Sequence, residues 1–143
     1  MGNNRVYIFC FIISCSKKTK CIMKQLLLVF IGGGLGSMFR YLISNISILS
    51  NSRFPLNTFI SNVGGCLLVG LIMGWAIKNN QMNSPQTILL ATGFCGGLTT
   101  FSTFAYENVE LLKSGDISTF LFYTLFSIIT GFTAIFIGIQ IVK

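Results

Sequence analysis

Charged residues divide this chain into long apolar stretches. Residues 25–39, 55–77, 86–106 and 117–142 contain no Lys, Arg, Asp or Glu. A helix crossing the hydrocarbon core of a bilayer needs about 20 predominantly apolar residues. The last three stretches meet that length. The first is interrupted by Arg40, and 41–49 continues apolar beyond it. The pattern predicts an all-α integral membrane protein of four transmembrane helices joined by short loops, with no soluble domain.

The breaks between the stretches carry turn chemistry. Ser50-Asn51-Ser52-Arg53-Phe54-Pro55 separates the first two spans, with Pro55 suited to the first turn of the next helix. Residues 78–85 separate the second and third and again close on a proline, Pro85. Lys113-Ser114-Gly115-Asp116 separates the third and fourth, and Asp116 suits the N-cap of the fourth helix.

Within the third span, residues 93–104 (Gly-Phe-Cys-Gly-Gly-Leu-Thr-Thr-Phe-Ser-Thr-Phe) break the apolar pattern without introducing a charge. Glycine and clustered β-branched threonine both weaken a helix. In lipid, backbone can open only where protein or an ion satisfies the freed groups. A span built to break at its middle is thus a candidate ion site, as in channels and transporters with discontinuous helices.

Composition agrees with a membrane protein: 52% of residues are hydrophobic, 9% are charged, and the mean hydropathy is +0.77. The net charge of +7 would suggest nucleic acid in a soluble chain, but four of the ten basic residues (Arg5, Lys17, Lys18, Lys20) precede Met23, and that partner is excluded. The five cysteines form no CxxC pair and there is no histidine, which argues against zinc and against a disulfide framework. Cys66 and Cys95 read as small packing residues.

Residues 1–22 form an N-terminal extension. Arg5 followed by the apolar run 6–15 imitates a signal peptide, yet the Lys17-Lys18-Thr19-Lys20 cluster behind it is no cleavage site. Met23-Lys24-Gln25-Leu26 reads as the natural start, leaving 23–143 as the single four-helix domain and the extension as dispensable or untranslated. From Met23 onward, Lys24, Lys78 and Lys143 fall on one side of the membrane and Arg40, Arg53 and Lys113 on the other. Three against three gives the positive-inside rule nothing to act on, so one sequence could insert in both orientations.

Small residues recur at i, i+4 in Gly32/Gly36, Gly70/Gly74 and Gly93/Gly97, and Gly64-Gly65 adds a further contact. Such spacing lets helix backbones approach closely. Four spans make a thin bundle, and burial of these faces is expected to need a second subunit.

Taken together, Gly32-Gly33-Gly34-Leu35-Gly36-Ser37-Met38-Phe39-Arg40-Tyr41, Asn57-Thr58-Phe59-Ile60-Ser61-Asn62-Val63-Gly64-Gly65-Cys66, the 93–104 segment and Tyr123 resemble the CrcB/Fluc family of bacterial fluoride channels. The likeness runs from about Met23 to the C-terminus, and the N-terminal extension departs from the family pattern. The resemblance implies an antiparallel, dual-topology homodimer in the bacterial cell membrane with two fluoride pores. It also implies a structural, untransported sodium ion at the dimer centre, held by the backbone carbonyls of Gly96 and Thr99. Carbonyl ligation suits a hard cation where no carboxylate lies near the break.

Phe101 and Phe104 share a helical face just past the break. Their ring edges, positive in the ring quadrupole, could line an anion path without a trapping charge, and the resemblance places the matching rings along the fluoride path. It likewise implies that the Asn62 amide contacts fluoride. Ser102 and Thr103 offer hydroxyl donors beside Thr99 and Thr100. Thr124, Ser127 and Thr130 repeat along the fourth span as a weaker candidate track, since membrane Ser/Thr often bond their own helix backbone. Tyr123 is a candidate donor at a constriction, Arg40 a vestibule residue that attracts anions, and Glu107 a residue near a pore mouth.

A four-span, dual-topology small-molecule or cation exporter is the alternative. It would need a membrane carboxylate, and none of the four uncharged stretches contains one. An enzyme would need a nucleophile with a base, or a metal with ligands, and neither set is present. With those classes set aside, the resemblance implies fluoride export, and the missing carboxylate makes it passive.

Overall fold

The computed structural model describes residues 3–45 and 53–143, with the backbone alone for 3–21. Helix α1 (Asn3–Ser44) is one continuous rod of 42 residues that passes through Met23 without a break. The expected turn over 50–52 and the side chains of Cys10, Cys15 and Cys21 lie outside the described residues. Helix α2 covers Leu56–Lys78. The third span has two halves. Pro85–Thr87, a π-helical stretch over Ile88–Cys95, and Gly96–Leu98 run on as one rod, here α3 (85–98), and α4 (Phe101–Lys113) follows. Helix α5 (Ile117–Val142) is the fourth span. Four stretches (Ile22–Ser44, Leu56–Lys78, Pro85–Lys113 and Ile117–Val142) are long and apolar enough to cross a membrane, so the chain is a multi-pass membrane protein.

The helix ends follow from local chemistry. Ser84 Oγ accepts the Thr87 N–H ahead of Pro85 in the first turn of α3. At the end of α2, Asn80 takes a left-handed conformation (φ 54°) and closes the helix, and Gly115 (φ 77°) does the same after α4. Asp116 then caps α5, accepting from the Thr119 N–H at 3.1 Å and the Thr119 hydroxyl at 2.8 Å. Those bonds hold the Asp116 carboxyl below its ordinary range.

Two glycine seams organise the bundle. On α1, Gly32 and Gly36 lie against Leu89, Gly93 and Phe94 of α3, while Gly97 meets the backbone of Gly33. On α2, Gly70 and Gly74 lie against Ile135 and Ile139 of α5, and Gly138 of α5 meets Leu67 and Leu71. All three spaced pairs therefore pack against another helix of the same chain, and all six glycines but the part-buried Gly97 are buried. The expectation that their burial needs a second subunit is corrected: helix pairs α1–α3 and α2–α5 consume those faces internally. Gly64 faces open space, and only Gly65 of that pair makes a close contact.

Helix α1 continues past Arg40 to Ser44, as the apolar run beyond Arg40 suggested, and the third span continues past the uncharged stretch to Lys113. Glu107 therefore lies inside a membrane-length helix, not beyond its end, because its charge is absorbed locally as described below.

Candidate functional site

The third span breaks at Thr99 (φ −78°, ψ 154°) and Thr100 (φ −149°, ψ 117°), both extended. Helix α2 meets the break through Asn62. The Thr100 N–H donates to Asn62 Oδ1 at 2.7 Å, and Asn62 Nδ2 donates to the Thr100 carbonyl at 3.1 Å. Thr100 Oγ1 caps α4 by accepting the Thr103 N–H at 3.3 Å, and lies 3.2 Å from Ser102 Oγ and 3.1 Å from Thr103 Oγ1. Thr99 closes α3: its N–H and its hydroxyl each donate to the Cys95 carbonyl at 3.0 Å.

These bonds leave carbonyls behind. The donors that a continuous helix would supply to Gly96 and Thr99 are the N–H groups of Thr100 and Thr103. Those point instead to Asn62 Oδ1 and to Thr100 Oγ1. Among the described residues neither the Gly96 nor the Thr99 carbonyl accepts a hydrogen bond, and the Gly97 carbonyl has only a long one from Ser37 Oγ at 3.5 Å. Gly96 itself faces open space.

A cleft of about 480 Å³ opens beside the break, lined by Ser37, Arg40, Tyr41, Ser44, Asn57, Thr58, Ser61, Thr100 and Thr103. Its lining contains one formal charge, the half-buried Arg40, and otherwise hydroxyls, one amide and backbone. No acid lines it. Its electrostatics therefore favour an anion.

Past the break, α4 carries a ring cluster. The Phe101 and Phe104 centroids are 6.0 Å apart, and Phe104 lies 5.1 Å from Tyr123. Phe101 is 79% exposed and Tyr123 is wholly buried. The Tyr123 hydroxyl donates to Glu107 Oε2 at 2.7 Å, while the Thr58 hydroxyl donates to Glu107 Oε1 at 2.6 Å. Each carboxylate oxygen thus has its own hydroxyl donor, which is what a carboxylate requires away from water. Tyr123, expected as a donor to a passing ion, spends its proton on Glu107. Glu107, expected near a pore mouth, points into the protein between α2 and α5.

The fourth-span hydroxyls divide. Thr124 Oγ1 donates to Asn108 Oδ1 at 2.7 Å, and Asn108 Nδ2 bonds the Phe104 carbonyl at 2.8 Å. Thr130 bonds its own helix at the Phe126 carbonyl, 2.6 Å away. Ser127 Oγ is buried without a partner among the described residues. The three therefore do not act alike, although their spacing puts them on one face.

Sequence reasoning did not single out Thr58, Ser61 or Asn108, all of them buried. The signal was present. Thr58, Ser61, Asn62 and Gly65 fall at i, i+3, i+4 and i+7, one polar and small stripe on an otherwise apolar helix. Thr100, Thr103, Phe104, Glu107 and Asn108 repeat the same spacing on α4.

The family described as "CrcB-like protein, Camphor Resistance (CrcB)" matches residues 27–139. Among similar proteins, "Fluoride-specific ion channel FluC" of Gloeothece citriformis is 46% identical over 125 residues, spanning 85% of this chain and 98% of its own. The protein of the same name from Azobacteroides pseudotrichonymphae is 42% identical over 118 residues, 82% of this chain and 94% of its own. That from Flavobacterium psychrophilum is 41% identical over 122 residues. The matched segment contains the break, the Asn62 pair, the Arg40 cleft and the Phe101–Phe104–Tyr123 rings, so the chain belongs to the CrcB-like family.

Proposed function

We propose that this chain is a fluoride-specific channel of a bacterial plasma membrane that lets cytoplasmic fluoride leave down its own gradient. The relatives are named as ion channels, and the chain is not an enzyme. The observation that carries the reading is the break at Thr99–Thr100, set between an acid-free cleft holding Arg40 and the exposed ring of Phe101. Fluoride enters the path at the Arg40 cleft and meets uncharged donors: the hydroxyls of Ser102 and Thr103 and the remaining N–H of Asn62. It then passes the edges of Phe101 and Phe104. Neutral donors and ring edges hold a small anion without trapping it. Tyr123 serves the path from behind, by holding Glu107 and packing on Phe104.

The chain works as a homodimer of opposite orientations. Phe30, Phe101 and Phe132 remain largely exposed in the single chain, and the balanced charges of 23–143 give insertion no preferred direction. The carbonyls of Gly96 and Thr99, which have lost their helical donors to Asn62 and Thr100 Oγ1, are a fitting ligand set for a hard cation such as sodium at the dimer centre. When bound, sodium supplies positive charge and joins the two breaks; it is not carried with fluoride. The 1–22 extension is dispensable for conduction.

Glu107 gives the exporter reading one observation in its favour, a carboxylate inside a span. Both its oxygens are engaged by Thr58 and Tyr123, however, and among the described residues no basic side chain bonds it. Fluoride and chloride efflux from liposomes holding the purified protein tests the proposal. Fluoride efflux without chloride efflux is expected; equal rates, or transport of an organic cation driven by a proton gradient, would overturn it.

A further inference from the structure

We propose that Asn62 and Gly65 of α2 are positioning residues: together they form a cradle that holds the Thr99–Thr100 break extended. The proposal rests on the reading of that break as the conducting centre. Asn62 and Gly65 stand three residues apart, on one face of α2. Asn62 pairs with both backbone groups of Thr100. Gly65 receives Thr99. A Cβ at position 65 would collide with Thr99 Cγ2, whereas its next nearest atoms, Thr99 Cβ at 3.7 Å and Leu98 Cδ2 at 3.8 Å, are at ordinary contact distance. The obstruction is one methyl group.

Thr99 cannot swing that methyl aside cheaply. Its hydroxyl is bonded to the Cys95 carbonyl, and β-branched side chains are stiff about χ1. Glycine at 65 is therefore the complement of threonine at 99. The amide fixes residue 100 and the missing Cβ admits residue 99, so α2 positions both residues of the break. The carbonyls released at Gly96 and Thr99 and the cap of α4 follow from that placement.

The cradle predicts a size exchange. Gly65→Ala should lower fluoride flux by about tenfold in the wild-type background and by less than about threefold in a Thr99→Ser background, a coupling of the size found between touching residues. Equal losses in both backgrounds would overturn the Gly65–Thr99 contact. Amide exchange in nanodiscs supplies a readout independent of transport. In Asn62→Ala the Thr100 N–H loses its acceptor, and its exchange should quicken at least about tenfold relative to amides in the middle of α5. Unchanged protection of Thr100 would overturn the Asn62 half. If wild-type protein conducts no fluoride, the functional reading fails while the exchange measurement still decides the cradle.

Discussion

Asn62 and Thr100 are joined as an amide pair: the Thr100 N–H donates to Asn62 Oδ1 at 2.7 Å, and Asn62 Nδ2 returns a bond to the Thr100 carbonyl at 3.1 Å. The side chain thereby imitates a peptide, and occupies both groups that a neighbouring turn of helix would have used. The break in the third span is satisfied at this residue by α2, not by water or by lipid.

Asn62→Asp retains the acceptor for the Thr100 N–H but sets a carboxylate oxygen against the Thr100 carbonyl. Two acceptors then face each other in a half-buried site, at a cost of about 1–3 kcal/mol. Fluoride flux in liposomes should fall by at least about tenfold, while the protein still extracts as the wild-type assembly. Undiminished flux would show that neither the pair nor an amide donor at this position matters for conduction.

Much of this was legible in the sequence. Four apolar stretches bounded by proline and charge marked the spans, and the 93–104 segment contained the break, which the structure places at Thr99–Thr100. What escaped was relational. Glycine spacing announces a close helix contact but not its partner, so Gly70 and Gly74 could not be assigned to Ile135 and Ile139 rather than to a second subunit. Glu107 was read at the end of the third span because a charge normally ends a span, and its partners were not foreseen. Its two hydroxyl partners lie 49 and 16 residues away in sequence, on other helices, and only folding brings them together.

Thr58 and Tyr123 each bind one oxygen of Glu107, so their effects should not add. Thr58→Val and Tyr123→Phe each strip one donor from the carboxylate, at about 1–3 kcal/mol. The double variant should cost measurably less or more than the sum, because the remaining partner governs the penalty. Thermal unfolding of the solubilised protein measures this. Strict additivity would mean that the two hydroxyls do not share Glu107.

Phe101 and Phe104 should separate function from stability. Phe101→Ile and Phe104→Ile both remove a ring edge from the proposed path, and both should cut fluoride flux by at least about tenfold if that edge stabilises the ion by more than about 1.4 kcal/mol. Phe101 is exposed in the single chain, so its replacement should leave the fold of the chain intact. Phe104 packs on Tyr123 at 5.1 Å, and its loss should lower thermal stability as well. Wild-type flux in both would refute the aromatic path.

The glycines make a graded test of the two seams. Gly97→Ala and Gly138→Ala drive a methyl into the backbone of the facing helix, where nothing flexible can yield, so each should destabilise by about 1–3 kcal/mol or more. Gly34→Ala and Gly64→Ala meet open space and should stay within about 0.5 kcal/mol of wild type in the single chain. A uniform response across the four would mean that the helix pairs are not those described.

The carbonyls at the break make the strongest demand on a missing partner. Those of Gly96 and Thr99 lose their helical donors because the Thr100 and Thr103 N–H groups are bonded to Asn62 and to Thr100 Oγ1. An unsatisfied backbone carbonyl in an apolar setting costs several kcal/mol, and a hard cation shared between two copies would offset that cost in both. Replacing sodium with N-methylglucamine should therefore make the dimer dissociate more readily, measured by subunit exchange between differently labelled copies, and should lower fluoride flux. An imposed sodium gradient, by contrast, should drive no fluoride, since the ion is held by backbone and does not travel. Unchanged subunit exchange in rigorously sodium-free buffer, with no substitute metal bound, would remove the cation from the assembly. Fluoride movement that follows the sodium gradient would make the protein a coupled transporter.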